Sequence, residues 1–218
     1  MDIDTCIFDL DGVIVDTARY HYLAWRRLAR ELGFDFSPQQ NERLKGISRM
    51  RSLEILLEMG GVSLSGKEME EAARRKNAWY VDYISTITPG EILPGVLDFI
   101  KELGNYSIKK AIGSASKNAP LILKRLQIEE KFDALIDGSR VTKAKPDPEI
   151  FTLAAKALNS NPEKCVVFED AQAGVEAAKN GGMWAVGVGD PKILGNADMV
   201  IRTFVSLRWE QVLKAISH

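Results

Sequence analysis

Short apolar runs followed directly by acidic or small polar residues recur along the chain. The clearest covers residues 165–168 (Cys-Val-Val-Phe) and is followed by Glu169 and Asp170. Strands of a parallel sheet that are buried on both faces have this uninterrupted apolar pattern. The pattern predicts strands over residues 4–10, 108–113, 132–137, 165–168, 184–188 and 199–201.

Apolar residues at helical spacing fill the segments between these runs. In residues 17–32, Tyr20, Ala24 and Leu28 share one face, and Gly33 ends the segment. Asp16 or Thr17 is placed to cap this helix. Further helices are predicted over residues 38–45, 50–59, 67–84, 96–103, 117–126, 148–158 and 171–180.

The order of these elements predicts the fold class and the division of the chain. Strands alternate with helices after residue 88, which is typical of an α/β protein with helices on both faces of a parallel sheet. Residues 17–87 show no strand pattern, and the turn residues at 88–90 and 94–95 follow that stretch. We therefore expect a core formed by residues 1–15 and 88–218, with residues 16–87 inserted as a helical domain.

Composition and charge argue against several classes of function. The 218 residues are 45% hydrophobic and carry a formal net charge of -1, which does not favour binding to nucleic acid or to an anionic membrane. The sequence has no apolar run of about 20 residues, the length that spans a bilayer. It also begins without a signal-peptide pattern. We expect a cytoplasmic protein whose two cysteines, Cys6 and Cys165, are buried and reduced.

Two carboxylates follow the first predicted strand. Asp9 and Asp11 are two residues apart, so one can attack phosphorus while the other exchanges a proton with the leaving or attacking oxygen. Gly12 permits a sharp turn that brings Asp11 round. A solvated turn is the competing interpretation of this stretch taken alone.

A second acidic pair, Glu169 and Asp170, follows another predicted strand. Clusters of carboxylate oxygens bind Mg²⁺, which would reduce the repulsion between Asp9 and a phosphate. Since ligands of open α/β sheets lie beyond the carboxyl ends of the strands, these groups are expected at one edge. An ordinary acidic loop is the alternative.

Ser114 and Lys145 offer donors for a phosphoryl group. Ser114 follows the second predicted strand, and Lys145 precedes Pro146, which keeps it out of helical geometry. Asp147 and Pro148 then resemble a helix cap followed by proline at the first helical position. Without this context, Lys145 would be interpreted as a surface lysine.

These pieces resemble, in their order, the four motifs of the haloacid dehalogenase superfamily. The motifs are residues 9–13 (Asp-Leu-Asp-Gly-Val), Ser114, Lys145 with Pro146, and Glu169 with Asp170. The resemblance implies a Rossmann-like core with an α-helical cap, Asp9 as nucleophile and Asp11 as general acid/base. It also implies Mg²⁺ held by the Asp9 side chain, the Asp11 backbone carbonyl and Asp170, with Glu169 in or beside the coordination shell.

Segments of the helical insert, together with residues 114–118, resemble those of the β-phosphoglucomutase branch of that superfamily. His21 and Trp25 are four residues apart on one helix face, Arg49 follows a short glycine-containing loop, and Lys76 lies on the last long helix. Solvated helix faces are the alternative interpretation. The resemblance implies that a sugar phosphate contacts Thr17, His21, Trp25, Lys45, Gly46, Ile47, Arg49, Lys76, Ala115, Ser116, Lys117 and Asn118.

The resemblance implies interconversion of β-D-glucose 1-phosphate and D-glucose 6-phosphate through an aspartyl-phosphate and a 1,6-bisphosphate. The expected partner is this small sugar phosphate, and the expected assembly is a monomer. A sugar-phosphate phosphatase remains an alternative, as does a mutase for another hexose epimer or a disaccharide-derived phosphate. Dehalogenation is disfavoured because Ser114, Lys145 and the acidic pair suit phosphate and Mg²⁺. A non-catalytic binding module is disfavoured because each expected reactive residue is present.

Overall fold

The structure is a computed structural model that describes residues 2–44 and 47–217. The chain divides into two compact units. One unit contains Met1–Asp16 and Thr88–His218, and the other contains Thr17–Ile87. We call them the sheet unit and the helical unit.

The sheet unit is built on one parallel sheet. Its strands are β1 (Thr5–Phe8), β2 (Lys109–Gly113), β3 (Ala134–Ile136), β4 (Cys165–Glu169), β5 (Trp184–Val188) and β6 (Met199–Ile201). They lie in the order β3-β2-β1-β4-β5-β6, and each neighbouring pair is parallel. This arrangement confirms the predicted α/β fold class.

The central strands are the most deeply buried. Every residue of β1 and of β4 is buried, as their continuous apolar sequences predict. One face of the sheet packs in a cluster that includes Ile7, Phe151, Val167 and Val175. The opposite face carries the aromatic stack of Phe8 on Phe168, with ring centroids 4.8 Å apart. The two central strands are therefore held rigidly, which matters because the site lies at their ends.

Among the described residues of the sheet unit, five α-helices accompany the strands. They are α5 (Val96–Asn105), α6 (Ala119–Leu126), α7 (Glu149–Ala157), α8 (Gln172–Asn180) and α9 (Trp209–Ile216). The first four match predicted helices to within two residues at each end. The last, α9, was not predicted, although Trp209, Val212 and Ile216 are buried at helical spacing.

The helical unit consists of α1 (Ala18–Glu31), α2 (Pro38–Glu42), α3 (Arg49–Gly60) and α4 (Gly66–Ile84). Its apolar faces meet in a separate core that includes Trp25, Leu28, Leu53 and Leu56. To form α2, the Ser37 hydroxyl accepts from the amide of Gln40 while the Gln40 side chain accepts from the amide of Ser37. Ser48 caps α3 by accepting from the amide of Arg51.

Three predicted helix ends differ from the structure. The segment predicted as 38–45 is helical only to Glu42 among the described residues, because Arg43 and Leu44 form a turn. Thr17 occupies the cap position of α1, but its side chain makes no capping bond with the described part of the helix. Asp147 was predicted as the cap of α7 with Pro148 as its first helical residue, but Pro148 occupies the cap position, and the Asp147 carboxylate accepts from the amide of Glu149 from one position further out.

Among the described residues, none of the helices combines the length and the apolar composition that a membrane crossing requires.

Candidate active site

The candidate site lies at the carboxyl ends of β1, β2 and β4. Asp9 directly follows β1, Ser114 directly follows β2, and Glu169 is the last residue of β4. The register pairs Phe8 with Ile112 on one side and with Phe168 on the other. Because the strands are parallel and adjacent, their terminal side chains come together at a single edge, where ligands of open α/β sheets bind.

Asp9 and Lys145 form a direct contact within this edge. The Lys145 ammonium donates to Oδ1 of Asp9 at 2.6 Å and to Oε2 of Glu169 at 2.7 Å. The second oxygen of Asp9, Oδ2, accepts from the amide of Asp11 at 2.9 Å. Both Asp9 oxygens are thus held in place, so the carboxylate is oriented in advance.

The charge of Lys145 is retained despite its burial. Burial alone would lower the pKa of Lys145, but attraction to Asp9 and Glu169 outweighs it and leaves the pKa above its ordinary value. The ammonium also lies 4.7 Å from the centroid of the Phe151 ring on α7. A permanently charged, immobile ammonium at this position can stabilise the negative charge of a phosphoryl group.

The pKa of the Glu169 carboxyl is displaced from its ordinary value. Its burial raises the pKa to about 7, against the attraction of Lys145, and the nearby charge of Asp9 contributes to the rise. The amide of Ala171 donates to Oε1 of Glu169. Two buried carboxylates share a single ammonium here, so this edge of the sheet carries excess negative charge.

The excess negative charge at this edge of the sheet favours binding of a divalent cation. Ligand oxygens of Asp9, Glu169 and Asp170 all lie within 4.8 Å of one another. Gly12 allows Asp170 to approach this closely, because a Cβ atom at Gly12 would lie 2.1 Å from Oδ2 of Asp170. Hard carboxylate oxygens at this spacing fit Mg²⁺ or Ca²⁺ better than a soft metal. The residues present therefore fit a divalent metal ion.

Residues 114–118 form a tight loop after β2. The amide of Ser116 donates to Oγ of Ser114, and the amide of Asn118 donates to Oγ of Ser116. The Ser114 side chain is fully buried, Ala115 and Ser116 are half-buried, and Lys117 is exposed. Gly138, after β3, packs closely against this loop, since a Cβ atom there would lie 2.0 Å from the Ala115 carbonyl oxygen.

In the helical unit, the predicted residues His21, Trp25 and Lys76 come together. The Lys76 ammonium lies 2.9 Å from Nδ1 of His21 and 4.3 Å from the centroid of the Trp25 ring. Trp25 is only 2% exposed, so it offers little surface to a ligand. Burial, together with the positive charges of Lys76 and Arg49, holds the pKa of His21 well below its usual range.

The remaining predicted residues of the helical unit are less fully described. Arg49, the first residue of α3, is half-buried, and burial lowers the pKa of its guanidinium. Ile47 is half-buried and Thr17 is buried. Lys45 and Gly46 lie outside the described residues.

Sequence reasoning missed three residues that shape these sites. Gly174 on α8 makes room for Glu169, Phe151 contacts Lys145, and Tyr80 stacks on His21 with ring centroids 4.0 Å apart. Phe151 and Tyr80 fall on the apolar faces of helices, where an aromatic residue is usually part of a core. Their roles depend on contacts between distant segments, which no local pattern reveals.

Comparison with known proteins gives consistent results. A family model described as haloacid dehalogenase-like hydrolase matches residues 3–182. A β-phosphoglucomutase of Bacillus subtilis is 45% identical over 94% of this chain and 95% of its own length. A phosphatase of phosphorylated carbohydrates from Thermotoga maritima is 33% identical over 83% of this chain and 82% of its own length.

A solved structure is also closely similar. It is a crystal structure of a β-phosphoglucomutase from Clostridium difficile, which superimposes with a TM-score of 0.94 at 44% identity. The superposition covers 99% of this chain and 97% of the other. The likeness therefore extends over both units.

Proposed function

The chain belongs to the haloacid dehalogenase-like hydrolase family, and we propose that it is a β-phosphoglucomutase that interconverts β-D-glucose 1-phosphate and D-glucose 6-phosphate. The observation that carries this proposal is the 45% identity to the B. subtilis enzyme over 94% of the chain. The geometry of Asp9, Lys145 and Glu169 supports phosphoryl transfer in general. The likeness over both units supports a mutase in particular.

In the first half-reaction, Asp9 carries the phosphoryl group as an aspartyl-phosphate. The 6-hydroxyl of β-glucose 1-phosphate attacks phosphorus, a new P–O bond to the sugar forms, and the P–O bond to Asp9 breaks. Asp11 accepts the proton of the hydroxyl, and Asp9 leaves as a carboxylate. The product of this step is β-glucose 1,6-bisphosphate.

In the second half-reaction, the bisphosphate binds in the opposite orientation. A carboxylate oxygen of Asp9 attacks the phosphorus of the 1-phosphate, and the P–O bond to the sugar breaks. Asp11 returns its proton to the departing sugar oxygen. Glucose 6-phosphate leaves, and Asp9 is again phosphorylated, so phosphate and protons balance over the cycle.

Lys145 and Ser114 would bind the transferring phosphoryl group during both steps. The Lys145 ammonium already contacts Asp9 at 2.6 Å, which places its charge beside the atom that gains and loses phosphate. A Mg²⁺ ion held by the side chains of Asp9, Glu169 and Asp170 and by the Asp11 carbonyl would supply further neutralisation of negative charge.

A bisphosphate that turns round requires a second phosphate site. From the resemblance, we propose phosphate-binding roles for Arg49 in the helical unit and for Ser116, Lys117 and Asn118 in the sheet unit, and sugar contacts for Thr17, His21, Lys45, Gly46, Ile47, Lys76 and Ala115. The half-buried guanidinium of Arg49 supports this role, because a partly desolvated arginine binds phosphate oxygens more strongly than a solvated one. Trp25 is nearly inaccessible and its ring contacts the Lys76 ammonium, so its proposed role is to support Lys76.

A sugar-phosphate phosphatase is the second candidate. It is favoured by the T. maritima relative, whose name describes a phosphatase and which is 33% identical over 83% of the chain. The same Asp9, Asp11 and Lys145 would serve both reactions. The difference is whether water or a sugar hydroxyl attacks the aspartyl-phosphate.

Further aspects of the proposal concern assembly and location. We propose that the protein acts as a monomer. We also propose a cytoplasmic location, supported by Cys6 and Cys165 being free and buried. Light scattering and cell fractionation test these two points.

The test of function is an assay with β-glucose 1-phosphate, Mg²⁺ and a catalytic amount of glucose 1,6-bisphosphate. Phosphorus NMR identifies glucose 6-phosphate and inorganic phosphate in the same sample. We expect glucose 6-phosphate to accumulate far faster than inorganic phosphate. Accumulation of inorganic phosphate alone would reject the mutase in favour of the phosphatase.

The Asp9→Ala variant provides the control. It should be inactive while its circular dichroism spectrum and thermal unfolding remain close to those of the wild type. Turnover near the wild-type rate in this variant would refute the role of Asp9 as nucleophile.

A further inference from the structure

A buried lysine in the helical unit is enclosed by aromatic rings. Lys76 on α4 is only 2% exposed. Its ammonium lies 4.3 Å from the centroid of the Trp25 ring, 4.8 Å from that of Tyr80, and 2.9 Å from Nδ1 of His21. The lysine charge is thus held between two ring faces and an imidazole nitrogen.

This environment compensates for the burial of the charge. Removing an ammonium from water is strongly unfavourable unless other groups stabilise it. Ring faces attract cations within about 6 Å of their centroids, most strongly where water is excluded. Trp25 and Tyr80 meet this condition together, so they fix where the ammonium can lie.

The position of the ammonium in turn determines the state of His21. A lysine ammonium donates hydrogen bonds and cannot accept them. Nδ1 of His21 is therefore the acceptor, and the ring proton is on Nε2. The charged groups that face the His21 ring are Lys76 from α4 and Arg49 from α3, and both disfavour a second proton on the imidazole.

Tyr80 also sets the orientation of the imidazole itself. Its ring stacks on that of His21 with centroids 4.0 Å apart and planes 28° apart. Tyr80 is fully buried, whereas His21 is half-buried. The tyrosine is therefore fixed by packing, and the accessible histidine takes its orientation from it.

We propose that Tyr80 and Trp25 are positioning residues that hold the Lys76 ammonium against Nδ1 of His21, so that His21 is a neutral, oriented Nε2–H donor. The inference about His21 concerns the protein without substrate. Its consequence for catalysis rests on the proposed function: Nε2–H then donates to an oxygen of the sugar phosphate. A neutral Nε2–H can donate to this oxygen without adding a second positive charge beside that of Arg49.

The first test observes His21 directly. The sequence contains only two histidines, His21 and His218, so histidine labelled with ¹⁵N gives two imidazole signals. A His21→Gln variant identifies the signal of His21. We expect the wild-type ring to remain an Nε2–H tautomer, without titrating, from about pH 5 to pH 8.

Variants of Tyr80 separate positioning from general packing. Tyr80→Leu removes the ring, and we expect His21 then to exchange between tautomers and to titrate within that range. Tyr80→Phe keeps the ring and should retain the wild-type signal. If Tyr80→Leu folds poorly, Tyr80→Met replaces the ring with a flexible apolar side chain.

Trp79→Leu is the matched control. It removes a neighbouring aromatic residue of α4 whose ring centroid lies 4.2 Å from the guanidinium of Arg27 and which is not among the Lys76 contacts described above. The His21 signal should remain that of the wild type. An unchanged His21 signal in Tyr80→Leu or Tyr80→Met, or an equal change in Trp79→Leu, would overturn the proposal.

Kinetics connect the inference to catalysis. We expect kcat/KM for the mutase reaction in Tyr80→Leu to fall about 3- to 30-fold below that of Tyr80→Phe, the range of a desolvated cation–π contact. If the wild type lacks mutase activity but Tyr80→Leu still alters the His21 signal, the proposed function fails and the positioning role stands. If the mutase is active and the signal does not change, only the positioning role fails.

Discussion

Lys145 Nζ lies 2.6 Å from Oδ1 of Asp9, although the two residues are 136 positions apart in sequence. Lys145 is 5% exposed and Asp9 is 5% exposed. The same ammonium lies 2.7 Å from Glu169, so it links two strand ends that would otherwise repel each other. This one side chain is therefore responsible both for the assembly of the site and for its chemistry.

Replacing Lys145 with methionine should impair both stability and turnover. Asp9 and Glu169 would remain buried without their cation, and breaking a buried ion pair in this way costs about 3–5 kcal/mol. Loss of the phosphoryl contact should lower kcat by at least about 100-fold. Urea unfolding and the mutase assay measure the two effects.

Arg74→Ala is the control for this change. Arg74 pairs with Glu71 at 2.7 Å, but both side chains are exposed. An exposed pair of this kind contributes less than about 1 kcal/mol. A loss of stability in Lys145→Met no larger than that in Arg74→Ala would contradict the linking role of Lys145.

The strands of the sheet and the position of the polar residues at their carboxyl ends could be predicted from the sequence, for a physical reason. Strands β1 and β4 are buried on both faces, so their apolar runs are continuous, and the polar residues that follow mark their ends. Parallel strands then bring Asp9 and Glu169 to the same edge. Local pattern and topology together were sufficient for this part of the site.

Other features depend on contacts that have no local pattern. The resemblance implies that Trp25 contacts the substrate; in the structure Trp25 is 2% exposed and its ring centroid lies 4.3 Å from the Lys76 ammonium, a contact that its sequence position does not reveal. The helix α9 lies beyond the last predicted strand, and its apolar spacing was overlooked. The sequence around Gly174 does not indicate that its lack of a side chain makes room for Glu169, because the two residues meet only in the folded structure.

Gly174→Ala should displace Glu169. A Cβ atom at Gly174 would lie 2.0 Å from Cδ of Glu169, which is far inside van der Waals contact. Alanine has a higher helix propensity than glycine, so the helix itself should not be weakened. Any loss of metal binding or activity would come from displacement of the Glu169 carboxylate. We expect weaker metal binding and at least about a tenfold loss of kcat/KM. Calorimetric titration with Mg²⁺ measures the first effect.

Gly104→Ala on α5 is the matched change. A Cβ atom there meets no atom within 4 Å, so the substitution should stabilise the protein by about 0.5–1 kcal/mol. Mg²⁺ affinity should not change. Equal Mg²⁺ affinity in both variants would show that Gly174 has no part in placing Glu169.

Metal binding should depend on pH because of Glu169. Burial raises the pKa of this carboxyl to about 7, so below that pH the group is largely protonated. A cation binds the carboxylate, and the proton must leave first. Affinity should therefore fall as the pH decreases below about 7, by up to about tenfold per pH unit for one proton. In Glu169→Gln this dependence should disappear, and an unchanged slope would exclude Glu169 as its origin.

Arg49→Ala should separate the mutase from simple hydrolysis. If Arg49 binds the phosphate that is not being transferred, its loss removes a charge-assisted contact of about 2–4 kcal/mol, or roughly 30- to 1,000-fold in kcat/KM for β-glucose 1-phosphate. Hydrolysis of a small phosphate ester, which has no second phosphate, should change little. Arg51→Ala removes an exposed side chain two residues further along α3 that is paired with Glu54 at 2.8 Å, and it should affect neither reaction. Equal losses on both substrates in Arg49→Ala would argue against a distal phosphate site.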